Sequence, residues 1–332
     1  MLQLLYRLAL KRYLIFSIAM SICTFAYLHA QPISVLNNEH YEDAAKKNKQ
    51  QLFDFRLEYR SNVASMRYDK DGTEILDDTL LFTDSSEVEH KYPYTTDLSQ
   101  YIFNLNVGYI GIKNLSIYAN MPIIHTNILE KFRYDTAVSQ RYERNNVSKT
   151  YIDGVHLNAA YRFDFNYVDV NLLGGLFLPF YNYDKNTDSL DLPINNKSIE
   201  LGKAFETKIG AIIDVNIKPV RLSLGAVFNQ RSEDFTNRML YNFRAGLNSV
   251  ANTEIYANLT YCSPIGDYEE KYKATYWRQV LWERYLNIDI GFSMYFSESI
   301  YANVAYAVKL LGENSIATRQ FSINLGYILY QN

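Results

Sequence analysis

Between Leu281 and Tyr330 the sequence alternates apolar and polar residues with a period of two, the spacing of a strand whose two faces meet different surroundings. Leu286, Ile288, Ile290, Phe292, Met294 and Phe296 share one face; Asn287, Asp289, Gly291, Ser293 and Tyr295 share the other. After a short Ser-Glu-Ser connector, Ile300, Ala302, Val304, Tyr306, Val308 and Leu310 oppose Tyr301, Asn303, Ala305, Ala307 and Lys309. A polar break at Gly312-Glu313-Asn314 leads to a last strand, in which Phe321, Ile323, Leu325, Tyr327 and Leu329 oppose Ser322, Asn324, Gly326 and Tyr330. Strands of this kind have two homes. In a soluble sandwich the apolar face packs on a second sheet; in a membrane barrel it meets lipid while the polar face lines the lumen.

The alternation recurs upstream. Phe53, Phe55, Leu57 and Tyr59 oppose Asp54, Arg56, Glu58 and Arg60, placing four charges on one strand face. Tyr101 to Tyr109 and Leu115 to Ile123 form a pair joined by a tight turn at Gly111-Ile112-Lys113-Asn114. Val155 to Phe163 and Val168 to Phe180 form another around Asn166, and Phe205 to Val215 with Val220 to Phe228 a third around Asn216-Ile217-Lys218-Pro219. Met239 to Leu247 and Ile255 to Tyr261 form a fourth, around Asn248 to Asn252. The segments Ser61 to Ser99, His125 to Lys149, Asn182 to Ser198 and Ser263 to Arg278 are polar and read as long loops. The pattern therefore predicts about twelve strands, with long polar and tight connections in strict alternation.

Three features choose between the two homes. An even strand count with short turns at one end and long loops at the other is the layout of an outer-membrane barrel. The apolar faces carry almost no charge in mid-strand, and Asp153, Arg284 and Arg319 fall at outer strand ends. Lipid selects that absence, because a basic residue on the lipid face at mid-depth costs about 2–4 kcal/mol. Alanines on the same face (Ala119, Ala159, Ala211, Ala226, Ala245, Ala257, Ala302) would fill a sandwich core thinly. Aromatic residues, 15% of the chain, recur near strand ends at Tyr59, Tyr109, Phe163, Phe180, Phe228, Tyr261, Trp282, Phe296 and Tyr327, as two interfacial girdles would require. The expected fold is all-β: a transmembrane, antiparallel, up-and-down β-barrel.

The N-terminus sets the compartment. Arg7, Lys11 and Arg12 precede an apolar run from Tyr13 to Tyr27 that ends at Leu28-His29-Ala30. This reads as a secretory signal peptide over residues 1–30, cleaved after Ala30. A polar lead-in over 31–50 and a barrel over 51–332 follow, in the outer membrane of a Gram-negative cell. Cleavage leaves Cys262 as the one cysteine, which excludes an intramolecular disulfide, and takes the net charge from −3 to −6. A basic surface for nucleic acid is absent from such a balance. Beyond Ala30 no run of about eighteen apolar residues offers a spanning helix.

Tyr109-Ile110-Gly111-Ile112-Lys113-Asn114-Leu115 running into Met121-Pro122, and Gly174-Gly175-Leu176-Phe177-Leu178-Pro179 before Tyr183-Asp184, carry a resemblance. Together with Asp153-Gly154 and Tyr161-Arg162-Phe163 they resemble the outer-membrane barrels associated with aromatic-compound degradation. That group, the meta-pathway phenol type, is akin to fatty-acid-transporter barrels. The pattern spreads over about two-thirds of the chain. It departs from the group at Asn114, where an acidic turn residue is usual, and at Gln331-Asn332, which follow Tyr330 where an aromatic terminus is usual. The resemblance implies passage of hydrophobic or aromatic solutes.

Function is expected on the lumen face. Its charges are Arg56, Arg60, Arg162, Lys208, Arg221, Arg244 and Lys309 against Asp54, Glu58, Asp164, Asp169, Glu206, Asp214, Glu254 and Asp289, with His156 among them. Near balance gives no dominant ring charge for selecting one ion sign, and pairs across the wall could fill the middle. His156 has Asn158 and Gly154 as same-face neighbours and no serine for a hydrolytic triad, whereas His40, His90 and His125 fall in the lead-in or loops. Cys262 reads as an inert inward thiol near the outer rim. The acidic stretch from Asp69 to Glu89 lacks the spacing of a calcium loop. No cofactor, metal site or catalysis follows. The expected function is passive passage of small solutes, with membrane lipid, solute and the barrel-insertion machinery as partners. The alternatives are a non-conducting structural or adhesive barrel acting through its outer loops, and a barrel hydrolase.

Overall fold

A sheet in hydrocarbon has no water for unpaired backbone groups, so it must close on itself. In this computed structural model it does. Residues 51–68, 71–75, 78–83, 89–112, 114–135, 140–180, 204–232, 235–250, 253–267, 282–297 and 299–331 are described. The signal peptide and lead-in expected over residues 1–50 lie outside the described residues.

Twelve antiparallel strands form the ring. They are β1 (Gln51–Ala64), β2 (Glu89–Ile112), β3 (Leu115–Asp135), β4 (Gln140–Ile152, resuming at Gly154–Phe165), β5 (Val168–Pro179) and β6 (Glu206–Ile217). The second half comprises β7 (Val220–Arg231), β8 (Arg238–Val250), β9 (Thr253–Pro264), β10 (Arg284–Tyr295), β11 (Ile300–Glu313) and β12 (Arg319–Gln331). Each pairs with its successor, and β12 returns to β1, with Gln51 opposite Gln331 and Val63 opposite Arg319. The topology is up-and-down, without crossovers. No helix among the described residues is long and apolar enough to cross a membrane; the strands do so instead.

The side chains are distributed inside out relative to a soluble protein. On β7, Val220, Leu222 and Leu224 are 42%, 40% and 59% exposed, whereas Arg221 and Ser223 between them are 4% and 2% exposed. The same inversion recurs on β1, β5 and β12, where Leu57, Leu172 and Leu325 are exposed and Glu58, Asn171 and Ser322 are buried. Water would not tolerate that outer face; lipid requires it. Phe163, Tyr167, Phe296 and Tyr327 are exposed toward the tight-turn end, with Phe180 and Tyr261 toward the other.

Local chemistry fixes the turns and the inner packing. Asn114 and Asn166 stand at the tight turns with φ of 69° and 64°, the left-handed region that asparagine tolerates better than most residues. The acidic turn residue usual in the resembling barrels is thus replaced by a side chain suited to that conformation. Tyr256 lies opposite Gly291 and Tyr301 opposite Gly326, both pairs facing inward. A Cβ on either glycine would fall 2.1 Å and 1.7 Å from the respective tyrosine ring, so the missing side chains let both rings lie flat on the neighbouring strand.

Three sequence expectations are corrected. First, much of Ser61 to Ser99 and of His125 to Lys149 is strand, not loop. β2 and β3 run 24 and 21 residues, about twice the 9–11 that a tilted spanning strand needs. Asp78–Thr83 adds a further strand on the outer end of β2. Outside the hydrocarbon neither face is selected for apolarity, so the alternation that signals a strand disappears while the hydrogen bonds continue. Second, the connections do not alternate strictly in length: β7 to β8 and β11 to β12 are short outer connections. The latter contributes Ser315–Ile316 to a small sheet with Arg67–Tyr68 and Glu74–Ile75. There the Tyr68 hydroxyl donates to Glu74 (3.0 Å) and to the Lys309 carbonyl (3.2 Å). Burial and the neighbouring Glu74 carboxylate push the Tyr68 phenol up to about 12, which keeps the donor protonated. Third, Trp282 is no girdle residue. It is buried, its indole N–H donating to the Gly266 carbonyl at 3.0 Å.

Leu224→Arg is expected to destabilise the bilayer-embedded barrel by about 2–4 kcal/mol in reversible denaturant unfolding. An unchanged midpoint would mean that this face does not meet hydrocarbon.

Candidate functional site: the inner wall

Period-two geometry sends Asp54, Arg56, Glu58 and Arg60 to the same side of β1, so the partners for these charges stand two residues away or on the next strand. Arg56 Nε lies 2.8 Å from the Asp54 carboxylate, and Arg60 Nε 2.5 Å from that of Glu58. Asn104 on β2 donates to Glu58 at 2.8 Å. Around the wall, Arg162 on β4 pairs with Asp169 on β5. Asn171 at 2.8 Å and Ser223 donate to Asp214 on β6. Arg244 on β8 pairs with Glu254 on β9 at 2.9 Å and sits 3.7 Å over the Tyr256 ring. Asn258 donates to Asp289 on β10 at 2.7 Å. The result is a polar belt in which buried charges find partners, as charges shielded from water must.

A second ionic group stands nearer the outer end. Arg238 links Glu206 (3.4 Å) and Glu283 (3.1 Å); Lys208 approaches Glu206 at 4.0 Å and Lys309 approaches Glu283 at 3.9 Å. His156 stacks on Phe177 with centroids 4.3 Å apart. Of the charged positions expected to line the lumen, most are buried or nearly so; Asp164, beside the Asn166 turn, is exposed at the mouth. Arg221 is buried next to the belt. The set does not converge on one point but forms a ring and an outer group. Cys262 is fully buried, its Sγ 3.8 Å from the Glu283 carbonyl. Most side chains of the acidic Asp69 to Glu89 stretch lie outside the described residues. Among those described, no three His, Cys, Asp or Glu side chains gather as a metal site.

Sequence reading missed the apolar part of the wall. Ala160, Leu173, Ile212 and Val227 form a buried inward cluster across β4 to β7, with Leu240 of β8 packed on it. Leu52, Ile110, Tyr118, Tyr301 and Ile328 form another at the tight-turn end, joined by Tyr295. Ala64, Leu98, Ile128 and Val147 form a third toward the outer end, where Tyr151 and Ile316 pack on it. Alternation assigns inward positions by exclusion from the apolar face, so apolar residues at both i and i+1, such as Leu172-Leu173 and Ile212-Ile213, lose their signal. Runs of that kind were the available clue.

A closed, inside-out barrel of this kind is an outer-membrane β-barrel. Among solved structures, the chain is similar to the COG4313 outer membrane channel from Pseudomonas putida F1, with a TM-score of 0.50 and 13% identity over 84% of this chain and 96% of that one. The KdgM porin aligns at a TM-score of 0.44 and 7% identity, over 82% of this chain and 98% of its own. The CymD monoaromatic hydrocarbon channel aligns at 0.41 and 10%, over 92% and 94%. At such identities the likeness is one of fold. No protein-family model matches the sequence, and no curated protein matches it.

Glu254→Ala leaves Arg244 buried without its carboxylate and is expected to cost about 3–5 kcal/mol in unfolding free energy. Combining Arg244→Met with Glu254→Leu is expected to recover most of that loss, measured in the same unfolding assay.

Proposed function

We propose that this protein is an outer-membrane channel for the passive passage of small solutes with apolar or aromatic bodies. The observation that carries this reading is the inner wall itself. A pore for hydrated solutes keeps its lining polar, yet here apolar clusters stand on the inner face at three heights. A solute with a hydrophobic body would pass from one to the next. The intervening belt, with Asp54, Arg56, Glu58, Arg60, Arg162, Asp169, Asp214, Arg221, Arg244, Glu254 and Asp289, would hold the wall in shape. Glu206, Lys208 and Lys309, with His156, would meet the solute on entry and Asp164 on exit. The resemblance in the Tyr109 and Gly174 segments points the same way. No chemical step is assigned to the lumen.

One observation favours a second reading, a non-conducting barrel acting through its outer loops. The belt residues are almost inaccessible, with Asp54 at 0%, Glu58 at 3% and Asp214 at 2% exposure. Passage would therefore need side chains to move. Solute flux separates the two readings. In proteoliposomes, a small aromatic alcohol is expected to enter severalfold faster than a pentose of similar size, and Leu173→Asn with Ile212→Asn to shrink that ratio. Equal flux of both solutes would indicate a hydrophilic pore. Flux of neither would favour the scaffold.

A further inference from the structure

The outward face of β3 is apolar at Ile117, Ala119, Met121 and Ile123, and then changes at His125 and Asn127. On the adjacent β4, Thr150 lies opposite His125 and Ser148 lies opposite Asn127. His125 Nε2 is 3.3 Å from the Ser148 hydroxyl, and its Nδ1 is 2.8 Å from the Thr150 hydroxyl. Both hydroxyl residues are exposed. The Tyr101 ring stacks on the imidazole with centroids 6.1 Å apart, and Tyr59 stacks in turn on Tyr101. A nucleophile within reach of a base, whose other nitrogen and ring plane are both held, is the arrangement from which acyl transfer is built. Local polarity alone places His125 in a loop; the register of two strands brings Ser148 to it.

We propose that Ser148 and His125 form a hydrolytic dyad on the outside of the barrel, acting on the acyl esters of outer-membrane lipids. The placement selects the substrate. The ten steps along β3 from Leu115 to His125 rise at about 3.3 Å each and tilt by about 40°, which reaches about 25 Å, the height of the apolar band. His125 thus stands where hydrocarbon gives way to headgroups, the depth at which acyl ester linkages lie and water arrives. The inference is independent of the channel reading, since it uses only the outer face.

The dyad uses the neutral tautomer in which Nδ1–H donates to Thr150 and Nε2 accepts from Ser148. The Ser148 oxygen attacks the ester carbonyl carbon as its proton passes to Nε2. Asn127, opposite the nucleophile, carries an amide that can donate to the resulting oxyanion. Collapse breaks the bond to the alkoxide, which takes the proton from Nε2 and departs as an alcohol. Water then attacks the acyl-serine, giving a proton to Nε2. The second collapse releases the fatty acid, and the proton returns to the Ser148 oxygen. No metal or redox partner enters this balance.

The test uses the full-length folded barrel in mixed micelles, with phosphatidylethanolamine in one arm and lipopolysaccharide in the other. Free fatty acid is measured. Release from at least one substrate is expected to fall at least about 100-fold in Ser148→Ala and in His125→Ala. Both positions lie on the exposed face, and retention of fold is checked by heat-dependent gel mobility. Thr150→Ser is expected to keep activity and Thr150→Val to reduce it with a shifted pH profile, which identifies a positioning residue. The arm that responds names the lipid. Release from neither substrate, or release that Ser148→Ala retains, would overturn the proposal.

Discussion

Backbone hydrogen bonding in hydrocarbon is the constraint from which the rest follows. An unpaired amide or carbonyl there costs several kcal/mol, so an open sheet edge is excluded and the first strand must find the last. The pairing of β1 with β12 over Gln51 to Val63 provides that closure. Once the ring is closed, each strand has one face in lipid and one in the lumen, and a single pattern of alternation serves the whole chain. Local devices serve the closed ring: Asn114 and Asn166 accept the left-handed backbone of the tight turns, and Gly291 and Gly326 leave room for the Tyr256 and Tyr301 rings.

Closure also moves the expensive chemistry inward. Charges that an ordinary protein leaves in water are buried here, and they persist because they are paired: Asp54 with Arg56, Arg162 with Asp169, Arg244 with Glu254. Such pairs are poor sources of net stability but strict about geometry, since losing one member strands the other. They define a wall of fixed shape. In the proposed channel the apolar clusters set into that wall would give it a chemical preference, which mixed charge alone would not. The outer face has its own division of labour: uniform apolarity across the hydrocarbon, aromatic rings at its borders, and a polar group at His125, Ser148 and Thr150 where the outer border falls on β3 and β4.

Much of this was legible in the sequence wherever one face met lipid. From Leu286 to Phe296 and from Phe321 to Leu329, each residue's side of the strand could be assigned from alternation alone, and the structure agrees. Legibility ended where its physical cause ended. The outer reaches of β2, β3 and β4 lie beyond the hydrocarbon, so polar residues on both faces read as loop although the strands continue to Asp135 and from Gln140. Inward apolar residues such as Leu173 and Ile212 were invisible because alternation ranks neighbours against each other and says nothing when both are apolar. Trp282 was misplaced because an aromatic near a strand end can serve an interface or an internal cap equally well. The Ser148 to His125 contact depends on register between strands, 23 residues apart in sequence, and no local pattern encodes it.

The most direct test of the lipid-covered closed barrel is an accessibility scan along β12. Nitroxide labels would be placed singly from Phe321 to Leu325 and at Tyr327 in a Cys262→Ser background, in bilayers. Collision with oxygen, which concentrates in hydrocarbon, should be high at Phe321, Ile323, Leu325 and Tyr327 and low at Ser322 and Asn324. A water-soluble nickel chelate should be excluded from the first group. Loss of the alternation, or nickel access to Ile323 and Leu325, would contradict a lipid-facing outer wall.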